Sequence, residues 1–137
     1  MNNFNKLKLN NIYIKLHRSH EFPIKPTNTV LKADSGASKS FIRQQDEHIL
    51  QNLNIKPGPI VALPDMSIFQ ATKSGSLPIP GLSKSAATAH VLPGLKSTSL
   101  LSLGQLCDDG CDIHLNKINI TITKKFYIIS IGIQMSC

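Results

Sequence analysis

The stretch TVLKADSGAS, residues 29–38, decides how the rest of this 137-residue chain is interpreted. Its β-branched and apolar start predicts a strand over 29–33, and the Asp-Ser-Gly that follows predicts a tight turn. Gly36 permits a reversal that a Cβ would obstruct, and Ser35 brings a hydroxyl that can hold a neighbouring group. Asp34 would then stand at a strand-to-turn corner with fixed backbone behind it, as acid/base chemistry requires. By itself the tripeptide is more often an ordinary turn.

A second stretch, VLPGLKSTSLLSLGQLCDDG at residues 91–110, makes the first one more specific. Together the two resemble the protease region of copia-type LTR retrotransposon polyproteins, in which Asp-Ser-Gly-Ala-Ser is followed at some distance by LPGL and LLSLGQLCDDG. The resemblance covers residues 29–125. It implies a retropepsin-like aspartic peptidase, and hence an all-β protein: a small closed β-barrel of the acid protease type, with one or two short helices and a flap hairpin.

The same resemblance assigns roles to individual residues. Asp34 would be the catalytic aspartate, and the active-site loop would continue through Ser35, Gly36, Ala37 and Ser38. The flap that closes over the substrate would have its tip at Leu63, Pro64, Asp65, Met66 and Ser67. The helix that braces the active-site loop would include Leu103, Gly104 and Gln105.

Four features depart from the family pattern. Ser102 stands where an apolar residue is usual, and Gln105 replaces the arginine that ties the dimer in retroviral enzymes. Lys32 is polar in a strand expected to be apolar on both sides, and the flap tip has no glycine. These departures leave the catalytic carboxylate in place and bear on dimer strength and turnover.

Asp-Ser-Gly occurs once, and no second Asp is followed by Ser or Thr and then Gly. An active enzyme of this type therefore has to be a homodimer, in which each copy supplies one Asp34 across a two-fold axis. Two carboxylates about 3 Å apart cannot both ionise, so aspartic proteases in general share one proton between them. The resemblance thus implies a polypeptide substrate, a water activated by the pair, no cofactor and a mildly acidic optimum.

Composition sets limits on the other classes of function. A chain of 137 residues with 41% hydrophobic content is one domain, here a loosely ordered lead-in over 1–28 and a retropepsin-like domain over 29–137. No run of about 18 apolar residues predicts a membrane span, and no secretory signal is visible, so we expect a cytoplasmic protein. The net charge of +7 comes from thirteen Lys and two Arg spread along the chain, with two Tyr, five Phe and no Trp. This predicts at most weak, non-specific association with nucleic acid.

The three cysteines do not predict a metal centre. Cys107, Cys111 and His114 match no four-ligand zinc spacing, and an odd number of cysteines without a signal peptide favours reduced, buried thiols. Residues 108–112 lack the ligand pattern of a calcium loop and are interpreted as a turn that ends a helix. The five histidines show no triad pattern with Ser or Cys.

Periodicity gives a mostly β chain. Strands are predicted at 12–14, 29–33, 41–42, 60–63, 67–73, 87–92, 111–115, 118–123 and 126–131. Helices are predicted over 44–53 and 99–106, a turn at 74–76, and an edge strand or extended loop over 77–81.

Three functions remain open at this stage. The first is an aspartic endopeptidase that processes a retrotransposon polyprotein. The second is a catalytically silent, retroelement-derived interaction module, and the third is a lysine-rich RNA-associated protein. Because the chain starts at Met1 and ends shortly after the protease-like segment, we also expect a relic or fragment of such an element.

Overall fold

The computed structural model describes residues 12–16, 29–63, 65–116, 119–125 and 127–134. Within them lie twelve strands, two short α-helices and one 3₁₀ helix. The strands β1 to β12 are, in chain order, Ile12–Leu16, Thr29–Asp34, Ser40–Ile42, Gln51–Ile55, Ile60–Ala62, Ile68–Gln70, Lys73–Ser76, Thr88–Val91, Ser99–Ser102, Cys111–Leu115, Asn119–Lys124 and Tyr127–Gln134. The 3₁₀ helix is Gln44–Ile49, α1 is Lys84–Ala87 and α2 is Leu103–Asp108. The expected mostly β class is confirmed.

Ten strands form one mixed sheet, in the order β10-β11-β12-β1-β2-β9-β3-β8-β7-β4, and β5 pairs with β6 in a separate hairpin. A barrel closes only when its first strand pairs with its last. Among the described residues no pairing joins β10 to β4, so the sheet is open and the expected closed barrel is wrong. The strand β4 has only its first residue half-buried and the other four exposed, as an edge strand without a further neighbour would.

The strand β9 lies between β2 and β3, which follow one another along the chain. It pairs in parallel with β2, with Asp34 opposite Ser102, and antiparallel with β3, with Phe41 opposite Leu100. Both strands that flank the Asp34 turn are therefore hydrogen-bonded to the same central strand. This arrangement fixes the two ends of the turn relative to each other.

The sheet is covered by apolar side chains on both faces. The main cluster includes Leu31, Ala33, Ile42, Leu101, Leu103, Leu106, Ile120 and Ile122. The second cluster contains Phe41, Ala71, Leu92 and Leu95, with Val61, Leu63, Phe69 and Leu100 packed against it. Because side chains alternate along a strand, the neighbours Phe41 and Ile42 point to opposite faces. The hairpin β5–β6 thus packs on the face opposite the main cluster.

Each of the two predicted helices is helical over only part of its predicted length. The segment predicted as a helix over 44–53 is a 3₁₀ helix only to Ile49 and then becomes β4. The segment 99–106 begins as β9, and α2 starts at Leu103. Since β9 is an inner strand that buries both faces, Leu100 and Leu101 enter different clusters, and such two-sided burial imitates helical spacing.

The predicted turn at 74–76 is also wrong, because these residues belong to β7. A Cβ on Gly75 would lie 2.9 Å from Leu50 Cβ and 3.0 Å from the carbonyl oxygen of Gln51. The glycine therefore serves close packing of β7 against the start of β4 and does not form a bend.

The remaining strand predictions agree with the structure to within a few residues, and β10 agrees at both ends. The predicted strand at 12–14 is β1, which pairs with β2 and β12 and is an inner strand, not an edge strand. The segment 77–81 is a loop whose Leu77 and Ile79 are buried. The short helix α1 was not predicted; Ser83 caps it by accepting a 3.3 Å hydrogen bond from the Ala86 amide. No helix in the described part of the chain is long and apolar enough to cross a bilayer.

Candidate active site

Asp34 is the last residue of β2 and lies on the face that carries the hairpin. In β2 the side chains of Thr29, Leu31 and Ala33 are buried, so the alternate side chains, Lys32 and Asp34 among them, point to the other face. Asp34 is half-buried, and its Oδ1 accepts a 2.8 Å hydrogen bond from the Gly36 amide. The strand is thus apolar on one face only, and this explains why a polar residue, Lys32, can occupy the other face.

The expected steric reason for Gly36 is not supported. Its φ lies outside the left-handed region, and a Cβ there would stand 3.4 Å from Asp34 Oδ1, which is an ordinary contact. Within one chain, the turn tolerates a small side chain at this position. In the turn that follows Asp34, Ser35, Gly36 and Ser38 are exposed and Ala37 is half-buried.

The buried Ser102 holds the turn that follows Asp34 in place. Its hydroxyl donates a 2.6 Å hydrogen bond to the Ala37 carbonyl and accepts a 3.0 Å hydrogen bond from the Gln105 amide, which caps α2. Its own amide donates to Ser40 Oγ at 2.9 Å. One side chain therefore ties the active-site loop, β3 and the start of α2 together, and this explains a polar residue where an apolar one was expected.

Gln105 is engaged within its own chain. Its Oε1 accepts a 3.2 Å hydrogen bond from the Ser40 amide, and its Nε2 donates to the carbonyls of Ser85 and Thr88, the latter at 3.1 Å. Within the segment Leu103, Gly104 and Gln105, for which a bracing role was expected, the side-chain amide of Gln105 joins α2 to β3 and to the end of α1. Leu103 is fully buried in the main cluster, and Gly104 is exposed.

A buried polar network near the start of β9 was not anticipated from the sequence. Asp46 accepts hydrogen bonds from Arg43 Nε at 2.8 Å and from Ser99 Oγ at 2.7 Å, and Ser99 Oγ accepts the Arg43 amide at 2.9 Å. Burial alone would raise the pKa of Asp46, but the hydrogen bonds and the charge of Arg43 outweigh it and lower that pKa below 3.8. The spacing of Arg43 and Asp46 in a helical turn was the only local signal.

The hairpin predicted over 60–73 exists as β5–β6 and packs on the same face of the sheet as Asp34. Its inner side chains Val61, Leu63 and Phe69 pack on the second cluster, and a Cβ on Gly94 would overlap the Phe69 ring at 2.1 Å. The aromatic ring therefore lies flat on the backbone of the loop that leads to β9. Glycine at position 94 makes that contact possible.

The predicted turn at the hairpin tip is confirmed in its described residues; Pro64 lies outside them. The Met66 amide donates to the Leu63 carbonyl at 2.9 Å, and the Leu63 amide donates to the Ser67 carbonyl at 2.8 Å. Asp65 accepts hydrogen bonds from the amide and the hydroxyl of Ser67. Met66 adopts the left-handed φ of 73° that glycine would favour, so the missing glycine is replaced by a strained, exposed methionine.

A cavity of about 440 Å³ lies between the hairpin tip and the loop at 94–97. Its walls include apolar Leu63, Phe69 and Leu95, with Asp65 and Lys96 among the polar residues that line it. Ser99 stands opposite Leu31 and Ser102 opposite Asp34, so the loop enters β9 at the end remote from Asp34. At about 3.3 Å per strand residue, the cavity lies on the order of 15 Å from the carboxylate.

The prediction of reduced, buried thiols is confirmed for Cys111 and is wrong about burial for Cys107, while Cys137 lies outside the described residues. Cys111 is buried and Cys107 is exposed, and both are free thiols. Burial and neighbouring carboxylates raise the pKa of both thiols, which makes them weakly reactive at neutral pH. Within the residues that the structure describes, no three His, Cys, Asp or Glu side chains are grouped as metal ligands.

Comparison with known proteins adds no family assignment: no family model, no curated protein and no solved structure matches the chain. The site is therefore interpreted from its own geometry. One chain supplies one carboxylate, Asp34, on a turn anchored to β9, with an apolar hairpin and a cavity on the same face of the sheet. A fixed, partly exposed carboxylate can accept a proton from water, but it requires a second acid to polarise a carbonyl group.

Proposed function

We propose that the chain is one subunit of a homodimeric aspartic endopeptidase of the retropepsin-like type, which processes a retrotransposon polyprotein. The observation that carries this proposal is the position of Asp34. It is half-buried at the end of an inner strand, on the hairpin side of the sheet, and the next turn is pinned by Ser102. A carboxylate on a loop supported by buried hydrogen bonds keeps its geometry during a reaction.

The reaction would proceed between two copies of this turn. The ionised Asp34 of one copy takes a proton from a water molecule as the water oxygen attacks the peptide carbonyl carbon. The protonated Asp34 of the other copy donates its proton to the carbonyl oxygen. The first Asp34 then gives its new proton to the amine nitrogen as the C–N bond breaks. A hydroxyl of the tetrahedral intermediate returns a proton to the second Asp34, so the pair again shares one proton, as at the start.

The substrate in this proposal is an extended polypeptide that lies under the hairpin. The apolar wall of the cavity suits an apolar side chain of the substrate, and Lys96 at the same cavity suits an acidic neighbour. Hydrogen bonds from Ser67 lower the pKa of Asp65 and keep this carboxylate ionised, so the acidic neighbour would have to lie at Lys96 and away from the hairpin tip. The proposed protein acts in the cytoplasm, with itself and its substrate as partners and without a cofactor.

The decisive experiment compares Asp34→Asn with wild type in the cleavage of an unstructured peptide library. We expect wild type to cleave best at mildly acidic pH, to be inhibited by pepstatin, and to lose activity about a thousandfold or more in the variant. The matched control is Asp112→Asn, the same change at an exposed position in β10, which should keep full activity. Cleavage that persists in Asp34→Asn excludes the mechanism.

Sedimentation of the purified chain tests the dimer separately. A strict monomer at all attainable concentrations would contradict the proposed enzyme, because one chain holds one Asp-Ser-Gly. A dimer that cleaves nothing would instead support the catalytically silent interaction module. RNA binding that hardly changes with salt would count against a merely electrostatic association of the lysine-rich surface.

A further inference from the structure

His90 lies beneath the hairpin and takes no part in the proposed chemistry. In β8 it stands opposite Phe41 of β3 and Ser74 of β7, so its ring belongs to the face of the second cluster. The centroids of the His90 and Phe41 rings are 6.2 Å apart, and the rings are tilted by 41°. The imidazole thus packs beside a core aromatic residue in the strand that follows the Asp34 turn.

The Nδ1 atom of His90 has no hydrogen-bond partner. Within the described residues it is the one buried side-chain nitrogen or oxygen in this state. Buried polar atoms of native proteins are seldom left without a partner. An imidazole that tolerates this must be neutral with an unprotonated Nδ1, since a buried N–H without an acceptor costs more than an unused lone pair.

The backbone above this atom belongs to the hairpin stem, defined here as residues 56–59 and 70–72. In the stem the Gly58 amide donates to the Ala71 carbonyl at 2.8 Å, and the Ala71 amide donates to the Pro59 carbonyl at 2.9 Å. A Cβ on Gly58 would stand 3.3 Å from His90 Nδ1 and 3.0 Å from Ala71 Cβ. Gly58 therefore places the stem directly on the imidazole.

The charged groups near His90 oppose its protonation. Burial is the main cause that lowers the pKa of His90 below 6.5, and the positive charges of Lys39 and Lys56 lower it further. Lys56 is part of the stem itself, and Lys39 precedes β3. Histidine is the side-chain type whose charge changes in the mildly acidic range, so we assign the pH response under the stem to His90.

We propose that His90 is a pH-sensitive latch: its neutral imidazole lets the hairpin stem seat on the sheet, and its protonation loosens the stem and frees the hairpin. A proton on Nδ1 adds an unpaired donor and a positive charge beneath Gly58, next to Lys39 and Lys56. Opening of the stem relieves both because water can then reach the ring. The opening of the stem is inferred from the structure alone. Entry of substrate through this opening at acidic pH rests on the proposed function.

Hydrogen exchange of the Gly58 and Ala71 amides tests the latch. Between pH 7.5 and pH 5, we expect their protection factors to fall about tenfold relative to amides of the β10–β11 ladder. The variant His90→Phe keeps an aromatic ring against Phe41 and should abolish the fall. The matched control His114→Phe removes an exposed histidine of β10 and should leave the fall unchanged.

A ring titration of wild type by NMR decides the question even if His90→Phe fails to fold. The midpoint of the His90 titration should coincide with the midpoint of the loss of protection. Midpoints more than one pH unit apart, or an undiminished fall in a folded His90→Phe, would overturn the latch. Peptide cleavage is measured separately. If the amides lose protection at acidic pH in a protein that cleaves no peptide, the latch proposal stands and the proposed enzyme function is wrong.

Discussion

At the scale of single residues, the turn that carries Asp34 depends on the buried hydroxyl of Ser102. That hydroxyl satisfies the Ala37 carbonyl on one side and the Gln105 amide on the other. The loop that contains Ala37 is largely exposed, and α2, which contains Gln105, has only six residues. A carbonyl and an N-terminal helix amide are thus held by a single oxygen.

Replacement of this oxygen should be costly. For Ser102→Ala we expect a loss of about 1–3 kcal/mol in the free energy of unfolding, because a helix cap disappears and a partly buried carbonyl is left unpaired. Urea denaturation measures this change in the free energy of unfolding. The control Ser38→Ala alters an exposed serine of the same loop and should change stability by less than about 0.5 kcal/mol. Equal effects of the two changes would show that Ser102 does not anchor the turn.

The residues that sequence reasoning identified differ in kind from those it missed. The Asp34 turn follows from local chemistry, in which a carboxylate accepts the amide two residues on, and the structure contains that bond. The role of Ser102 cannot be inferred from local chemistry, because its partner Ala37 is 65 residues away and no local sequence pattern indicates the pair. The network of Arg43, Asp46 and Ser99 escaped for the same reason. Long-range hydrogen bonds between ordinary polar residues leave little pattern in one sequence.

At the scale of elements, the packing of β7 against β4 depends on Gly75. The glycine was interpreted as a bend because Ser-Gly-Ser is typical of turns, whereas its close contacts to Leu50 and Gln51 reveal a strand that packs unusually near its neighbour. Glycine inside a strand often has this meaning. The two interpretations predict different effects of alanine at position 75. An exposed turn would tolerate the added methyl group, whereas the close packing of β7 against β4 would not.

We therefore expect Gly75→Ala to lower the free energy of unfolding by about 1–3 kcal/mol, because the new methyl group must displace Leu50 or the Gln51 carbonyl. The control is Gly104→Ala in α2, where a Cβ would come no nearer than 3.9 Å to Ala37 or Ser102. That substitution should be neutral or stabilising, by up to about 1 kcal/mol, since alanine favours helix. Thermal denaturation of both variants separates the cases. A Gly75→Ala protein as stable as wild type would contradict the close packing.

The wrong prediction of a helix over β9 has a clear physical source. Patterns with a period of two or of 3.6 assume that a segment buries one face. In β9 both faces are buried, so the leucines follow neither period cleanly and the strand was taken for part of a helix. In contrast, β11 buries only alternate residues, and its strand was predicted correctly. Sequence patterns were reliable for one-sided strands and failed for the strand that supports the candidate site.

At the scale of the whole molecule, two carboxylates connect parts that are distant in sequence. Asp46 joins the 3₁₀ helix to Ser99 of β9. Asp109 follows α2 and binds Lys124 of β11 at 2.8 Å and the Ser83 amide before α1 at 3.0 Å. Hydrogen bonds from Lys124 and Ser83 lower the pKa of Asp109 from 3.8 to about 2. Both carboxylates are thus held ionised by the folded state.

The stability of the molecule should consequently fall in two separate ranges of acid pH. A group whose pKa is lowered by folding stabilises the fold above its ordinary pKa, and this contribution is lost as pH falls through the folded value. For His90 the loss begins as pH drops below 6.5; for Asp46 and Asp109 it begins below 3.8 and extends to about 2 for Asp109.

The urea midpoint, measured from pH 8 to pH 2, should therefore decline first near neutrality and again below pH 4. His90→Phe should remove the upper decline, Asp109→Asn should reduce the lower one, and Asp112→Asn should alter neither. A single decline that all three variants retain would show that these groups do not set the acid response.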